Sequence, residues 1–282
     1  MHKSEKITLY SVLINIFLFV AKLIVGIYSQ SLALLSDAVN SFLDILSYSG
    51  IHFAVKISNQ KADAEHPFGH KRAEPIAGLF IAIFAGILGF EISKNAIKSL
   101  INPSTLGYGN AAVIVLVISM IVKIIMYKYM IKKGEEMNRP AIKAAGIDSR
   151  NDVLASGVAL IGVIGNWYGL YILDSVAAII ISIIIFYSGY EIAIENINYL
   201  MGHAPPKKNL DKIKKTVVKI KGVKGCHDVK AHYVGPYVQV EIHIEVDNKL
   251  NTKESHKISN LVQEAVENLD RIDKAFIHVD PV

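Results

Sequence analysis

From Ile7 onward the chain alternates long apolar stretches with short polar ones, and only near residue 204 does the pattern change. Six apolar stretches stand out, at Ile7–Tyr28, Ser31–Ile57, Ala73–Leu100, Ala111–Met130, Ala141–Asn166 and Ile172–Leu200. About 20 residues of helix cross a bilayer core, so each is long enough to span, and the longer ones must tilt or protrude. The second and fifth are the least apolar. Spans that polar need shielding by their neighbours, which places them in the bundle interior.

Beyond Ala204-Pro205-Pro206 the periods shorten. Leu210, Ile213, Val217 and Ile220 fall on one side of a basic amphipathic helix, Asn209–Lys221. Gly225–Val234 and Tyr237–Val246 read as strands around a Gly235-Pro236 turn. In the second strand Val238, Val240, Ile242, Ile244 and Val246 take one face, and Gln239, Glu241, His243 and Glu245 the other. Thr252–Leu269 reads as a helix and Lys274–Val279 as a last strand. The order αββαβ predicts a two-layer domain over 205–282, following a transmembrane domain over 1–204. So small a domain is marginal alone, and dimerisation or metal binding would stabilise it.

Composition agrees. Of 282 residues, 52% are hydrophobic, and mean hydropathy is +0.36. This is an α-helical membrane protein with a polar appendage. The single cysteine, Cys226, excludes an internal disulfide and a multi-cysteine metal site. A net charge of +5 fits cytoplasmic loops better than nucleic-acid binding. No small-residue cleavage site follows the first apolar run, so that run is read as retained.

Charge sets the expected orientation. Lys3 and Lys6; Lys56, Lys61, Lys71 and Arg72; Lys128, Lys132, Lys133, Arg139 and Lys143; and Lys207 and Lys208 all fall on alternate sides of the spans. The intervening loops carry no Lys or Arg. Both termini are therefore expected in the cytoplasm, the membrane being the cell membrane.

Three groups can carry chemistry. Asn40 and Asp44 stack on one helix face, four residues apart, and Asp148 and Asp152 repeat the spacing in the fifth span. A lone Asp is often a helix cap and a lone Asn an interhelical hydrogen bond. Two such pairs inside a membrane point instead to one oxygen-rich cation site. Its all-oxygen donors suit Mn²⁺ better than Zn²⁺. In the loop, Asp63, His66 and His70 offer an N₂O set for Zn²⁺, although Pro67 and Gly69 break helical spacing. In the last domain His227, His243, His256, His278 and Asp280 come from different elements. On pattern alone they read as exposed histidines, with only His278 and Asp280 sure to share a face. His52 reads as a packing histidine, and Lys22 and Lys123 as lysines that snorkel or pair within the bundle. Glycines 86, 89, 157, 162 and 165 read as helix-packing positions.

These residues together resemble the cation diffusion facilitator family over essentially the whole chain. The resemblance rests on Ser31–Ala38 leading to Asn40 and Asp44, His66-Pro67-Phe68-Gly69-His70-Lys71-Arg72-Ala73-Glu74, Asp148–Val153, Leu173-Asp174-Ser175 and His278-Val279-Asp280-Pro281. It implies six spans, a cytoplasmic ferredoxin-like domain, a homodimer, and export of a divalent metal in exchange for protons. It implies a transport site at Asn40, Asp44, Asp148 and Asp152, a loop site at Asp63, His66 and His70, and a cytoplasmic site at His227, His243, His256, His278 and Asp280. Metal ions are then substrate and regulatory ligand, with no prosthetic group. Zinc-selective members generally carry His or Asp at the position of Asn40 and His at that of Asp148, so this chain is expected to favour Mn²⁺, with Fe²⁺ or Zn²⁺ as alternatives. Some members pair an Asp after the last span with the basic residue at Arg72. Here Met201-Gly202-His203 stands there and supplies no carboxylate.

Two other classes compete. A membrane metal sensor would bind metal without moving it. An intramembrane metallohydrolase would need a general base beside an open metal position, and the chain has no His-Glu-x-x-His run. The chain is expected not to be an enzyme.

Overall fold

The computed structural model describes residues 3–102, 105–136 and 140–282. Met1, His2, Pro103, Ser104, Met137, Asn138 and the loop charge at Arg139 lie outside them. Six long helices come first: α1 (Lys3–Ser29), α2 (Leu32–Ser58), α3 (Ala73–Ile101), α4 (Gly109–Glu136), α5 (Pro140–Trp167) and α6 (Ile172–Leu200). The chain ends in α7 (Lys207–Val217), β1 (Gly225–Val234), β2 (Tyr237–Val246), α8 (Thr252–Glu267) and β3 (Ile272–Pro281).

Among the described residues, α1, α3, α4 and α6 are long and apolar enough to cross a membrane. Helices α2 and α5 match them in length, but carry the carboxylates and amide singled out above. Helix α4 runs six residues past its expected end at Met130. That extension is polar, with Lys133 2.5 Å from Glu136 one turn on, and Lys143 2.9 Å from Glu135.

The residues fall into two compact units: residues up to 50 with 80–193, and 51–79 with 194–282. The loop between α2 and α3 thus belongs to the same unit as the C-terminal elements, a grouping that a cut in chain order at 204 does not express.

The first unit is inverted relative to a soluble protein. Phe17, Phe80, Ile83, Ile87, Phe90 and Ile161 are exposed, whereas Asn15, Lys22, Asp37, Ser41, Lys123, Asp152, Ser156 and Ser182 are buried. An apolar solvent outside accounts for this distribution. Small residues close the interior, where Ala33, Ala85, Ala112, Ala159 and Ala177 pack with Leu34, Leu116 and Ile181. At Gly162 a Cβ would come within 2.6 Å of Ala177 Cβ, so only glycine lets α5 lie this close to α6. Gly86, expected to act likewise, meets open space.

In the C-terminal elements the sheet order is β1-β2-β3, with β2 antiparallel to β1 and parallel to β3. The alternation of β2 buries Val238, Val240, Ile242, Ile244 and Val246 against Ile213 and Val217 of α7 and Val262 and Val266 of α8. Helix α8 starts at a capping box: Asn251 accepts from Glu254 N–H at 3.0 Å, and Glu254 accepts from Asn251 N–H at 3.1 Å. Helix α7 begins two residues earlier than expected and ends four residues earlier. It opens after Pro206 and stops at Val217, the chain then turning through Gly222 (φ +99°) rather than carrying the helix to Lys221.

Candidate metal centres

Helices α2 and α5 bring Asn40, Asp44 and Asp152 to one place inside the first unit. Asn40 Nδ2 donates to Asp152 Oδ1 at 3.1 Å. The other oxygen, Asp152 Oδ2, accepts from the ammonium of Lys123 on α4. The same ammonium lies 3.6 Å from Asp44 Oδ2. Lys123 and Asp152 are buried and Asp44 half-buried. Asp148, one turn earlier on α5, is exposed, but near enough to Asp44 and Asp152 for the charges to act on one another. The hydroxyl of Tyr48 bonds to it. Spacing along the sequence thus located the carboxylates, but not the lysine between them.

Two further arrangements hold these helices in place. Lys22 of α1 pairs with Asp37 of α2 at 2.7 Å and donates to Ser41 and Ser156 at 3.1 and 3.2 Å. Asp174, in the first turn of α6, accepts from Ser31 Oγ at 2.5 Å and from Leu32 N–H at 2.7 Å. It thereby satisfies the free amides at the start of α2.

The loop group sits in the second unit. Asp63 Oδ1 accepts from the backbone amides of His66 (2.6 Å) and Glu65 (3.0 Å). The His66 amide holds the Asp63 carboxyl below the usual carboxylate range. Gly69, at φ +82°, turns the chain so that its N–H reaches His66 C=O at 2.9 Å. That turn, not a helix, stacks His66 on His70 with ring centroids 4.6 Å apart. Asp63 lies 3.4 Å from His66 Nδ1 and 3.3 Å from His70 Nε2. The donor atoms of all three lie within 4.8 Å of one another, and His70 Nδ1 is buried with no hydrogen-bond partner among the described residues. Two imidazoles and a carboxylate at that separation fit a divalent ion of the Zn²⁺ type.

The third group lies on the face of the sheet opposite α7 and α8. His227 of β1 pairs in register with His243 of β2, which pairs with His278 of β3, and Glu245 pairs with Asp280. Asp280 Oδ2 is 3.4 Å from His227 Nε2 and 3.1 Å from His243 Nδ1, and Asp280 Oδ1 is 3.2 Å from His278 Nε2. His227, His243 and Asp280 place donor atoms within 4.8 Å of one another. A bulge at Asp228 (φ 44°) shifts the β1 register after His227. It brings Asp228 to 4.0 Å from His243 Nε2, and Lys230 holds the Asp228 carboxyl below its usual range. Glu245 lies 3.2 Å from His227 Nδ1. Neither Asp228 nor Glu245 figured in the expected set; the alternation of β2, which puts Glu245 on the face of His243, was the available signal for Glu245. His256 does not join the group. It is exposed on α8, in the helical layer, with Nε2 3.3 Å from the Asn260 amide.

Residues 8–201 match the model of the cation efflux transmembrane domain, and 205–282 that of the cytoplasmic domain of cation efflux proteins. The chain is similar to an uncharacterized transporter of Methanocaldococcus jannaschii, at 36% identity over 100% of both chains. It is 28% identical to the manganese efflux system protein MneS of Bacillus subtilis, over 99% of this chain and 96% of that one. The cation-efflux pump FieF of Salmonella typhi is 28% identical over 94% and 88%. A solved MamM-CTD structure is 24% identical over 28% of this chain and 100% of its own, with a TM-score of 0.27.

Proposed function

The chain belongs to the cation diffusion facilitator family, and from that premise we propose a proton-coupled exporter of divalent metal that favours Mn²⁺. It is a divalent-cation efflux transporter by membership, an integral membrane protein, and not an enzyme. The proposal concerns the metal and the exchanged proton. One observation carries it. Inside an apolar bundle, α2 and α5 present Asn40, Asp44 and Asp152 to one buried cationic position, with Asp148 at its edge. Every donor is oxygen. Hard ions that keep six ligands accept such a set, whereas Zn²⁺ gains from imidazole. Relatives named for manganese efflux, at 28% and 29% identity, support the same metal. Carboxylates also take protons, which lets protons and metal alternate on Asp44, Asp148 and Asp152.

In this reading residues 1–204 carry transport and 205–282 form the metal-binding and dimerising domain. Both termini face the cytoplasm of a cell-membrane protein. Metal held by Asp63, His66 and His70, or by His227, His243, His278 and Asp280, acts as a structural or regulatory ligand. The chain works as a homodimer, with His256 outside the cluster of its own chain. The nitrogen-rich character of these two outer groups favours a second reading, a zinc-preferring exporter.

Purified protein in proteoliposomes decides between them. Mn²⁺ flux should rise with a proton gradient directed against the metal, and metal entry should release protons on the far side. Flux indifferent to the gradient would establish a uniporter. Flux of Zn²⁺ with exclusion of Mn²⁺ would establish the zinc reading. Saturable binding without flux would make the protein a sensor.

A further inference from the structure

We propose that Lys123 is a tethered competitor for the transported metal: its ammonium occupies the cation position between Asp44 and Asp152, and a metal ion enters by displacing it. The inference rests on the reading of Asn40, Asp44, Asp148 and Asp152 as the transport site.

The geometry leaves room for one cation. Lys123 Nζ contacts Asp152 Oδ2 and stands 3.6 Å from Asp44 Oδ2. A hard divalent ion binds carboxylate oxygen at about 2.0–2.6 Å. An ion bridging the same two oxygens would overlap the ammonium, so the two states exclude each other. The lysine is fully buried, and a buried charge persists only where opposite charge compensates it. Here Asp44 and Asp152 supply that charge, and they are also the ligands the metal must recruit. The oxygens are only partly engaged: Asp44 Oδ2 is buried with no hydrogen-bond partner among the described residues. Ammonium thus holds the site without saturating it.

A way out for the side chain is present. Asp37 Oδ1 is buried and has no hydrogen-bond partner among the described residues, and the Asp37 charge acts on Lys123. Ser119, one turn before Lys123 on α4, has a buried and equally unpartnered Oγ. A lysine has a flexible four-carbon stem and a compact charge, which suits a group that must move while staying charged. Doubly charged metal outcompetes the single charge when present. When it leaves, Lys123 returns and prevents the carboxylates from facing one another unscreened. The consequence is weaker metal binding than the carboxylates alone would give, and faster release.

The experiment uses the full-length protein in nanodiscs, with Mn²⁺ binding read by calorimetry at fixed pH. His66→Ala, His70→Ala, His243→Ala and His278→Ala in the background remove the outer metal groups from the signal. Lys123→Gln should bind Mn²⁺ at least tenfold more tightly than this background, with KM and turnover falling together in flux assays. Lys123→Arg, whose rigid fork pairs two carboxylates more firmly, should bind Mn²⁺ more weakly. A lysine that merely positions the carboxylates predicts the opposite sign for Lys123→Gln. Unchanged or weaker binding in folded Lys123→Gln overturns the inference. Should Lys123→Gln not fold, Lys123→Arg decides, and binding as tight as the background overturns it. Asp44→Asn and Asp152→Asn separate this from the site assignment. If they abolish Mn²⁺ binding while Lys123→Gln leaves it unchanged, the site stands and only the competitor falls. If they leave binding intact, the site assignment falls and the inference with it.

Discussion

Lys22 Nζ lies 2.7 Å from Asp37 Oδ2, with both side chains sealed from solvent, and this pair ties α1 to α2 seven residues before Asp44. Ser41 and Ser156 accept from the same ammonium, and Ser156 donates to Asp37 at 2.8 Å, so α5 is joined to the group as well. The pair therefore fixes the spacing of the two helices that carry the carboxylates. Removing one partner of a buried pair leaves an uncompensated charge and costs about 3–5 kcal/mol, whereas replacing both is often close to neutral. Lys22→Met and Asp37→Leu should each strongly lower the unfolding temperature of the detergent-solubilised protein. The double variant should recover most of the loss. Additive losses would show that the two residues act separately.

Lys71, beside the Arg72 for which Met201-Gly202-His203 supplies no carboxylate, meets the C-terminal sheet. Its ammonium pairs with Asp273 and stands 4.4 Å over the Tyr237 ring. Gly235 makes room for it: at φ +60°, a Cβ there would collide with the Lys71 carbonyl. Exposed pairs contribute up to about 1 kcal/mol, and this one is roughly four-fifths covered, so its coupling should reach at least that limit. Lys71→Asp or Asp273→Lys alone should speed proteolysis between residues 59 and 72, and the exchange of both charges should slow it again. Equal cleavage in all forms would remove the pair from any role in holding the loop.

How far the sequence spoke depends on the range of the interaction. The β2 strand was legible to the residue because its alternation is local and its burial one-sided. Six helices were legible because an apolar stretch needs no partner to be recognised. The turn that joins His66 to His70 was not, since it depends on Gly69 and on the Asp63 side chain accepting two amides. The position of Asp228 was hidden for a like reason: a bulge is a property of two paired strands. Lys123 lies 29 residues from Asp152 on another helix, and a single lysine in a span reads equally well as snorkelling. His256 was assigned by resemblance alone. Its own helix packs on the face of the sheet opposite the cluster, and no spacing rule would have placed it with His243.

The register of the sheet orders the effects of histidine substitutions. His243 stands between His227 and His278, with ring centroids 5.4 and 4.5 Å away, and reaches Asp280 at 3.1 Å. Zn²⁺ binding by residues 205–282 should fall at least tenfold in His243→Ala, since even the loss of a group that supports a ligand typically costs about 10–100-fold. His256→Ala should leave the affinity of the monomeric fragment unchanged, and any loss should appear only at concentrations where the fragment dimerises. Loss in the monomer would place His256 in the cluster of its own chain.

Acid should empty the loop group through its imidazoles. Asp63 has its pKa lowered by the amide of His66, so its carboxylate stays charged as the pH falls through the range in which histidines titrate. Metal needs neutral imidazoles, so protons compete with it for the ring nitrogens. Asp63→Asn should therefore weaken Zn²⁺ binding at every pH while leaving the slope of log affinity against pH in this range unchanged. His66→Gln or His70→Gln should weaken binding and flatten the pH dependence. A slope that falls in Asp63→Asn would mean that the carboxylate, not an imidazole, takes the proton.

Metal choice should turn on Asn40 and Asp148. The amide of Asn40 is neutral and already bonded through Nδ2 to Asp152, which leaves its oxygen as a weak, hard donor. Asp148 stands at the exposed edge, with room for water to complete a six-fold shell. Intrinsic affinity still rises from Mn²⁺ to Zn²⁺ at any such site, so selectivity must come from donor type and geometry. Asn40→His with Asp148→His would put one nitrogen on α2 and one on α5, and Zn²⁺ gains from imidazole and four-coordinate closure. Wild type should carry Mn²⁺ at least as well as Zn²⁺, and the double variant should raise the Zn²⁺/Mn²⁺ flux ratio about tenfold, equivalent to ~1.4 kcal/mol. Lys123 is untouched in both forms, so competition from its ammonium cancels in the ratio. Competitive flux of both metals in the same vesicles, at one pH, gives the measurement. A ratio that does not move would place the choice of metal outside these two positions.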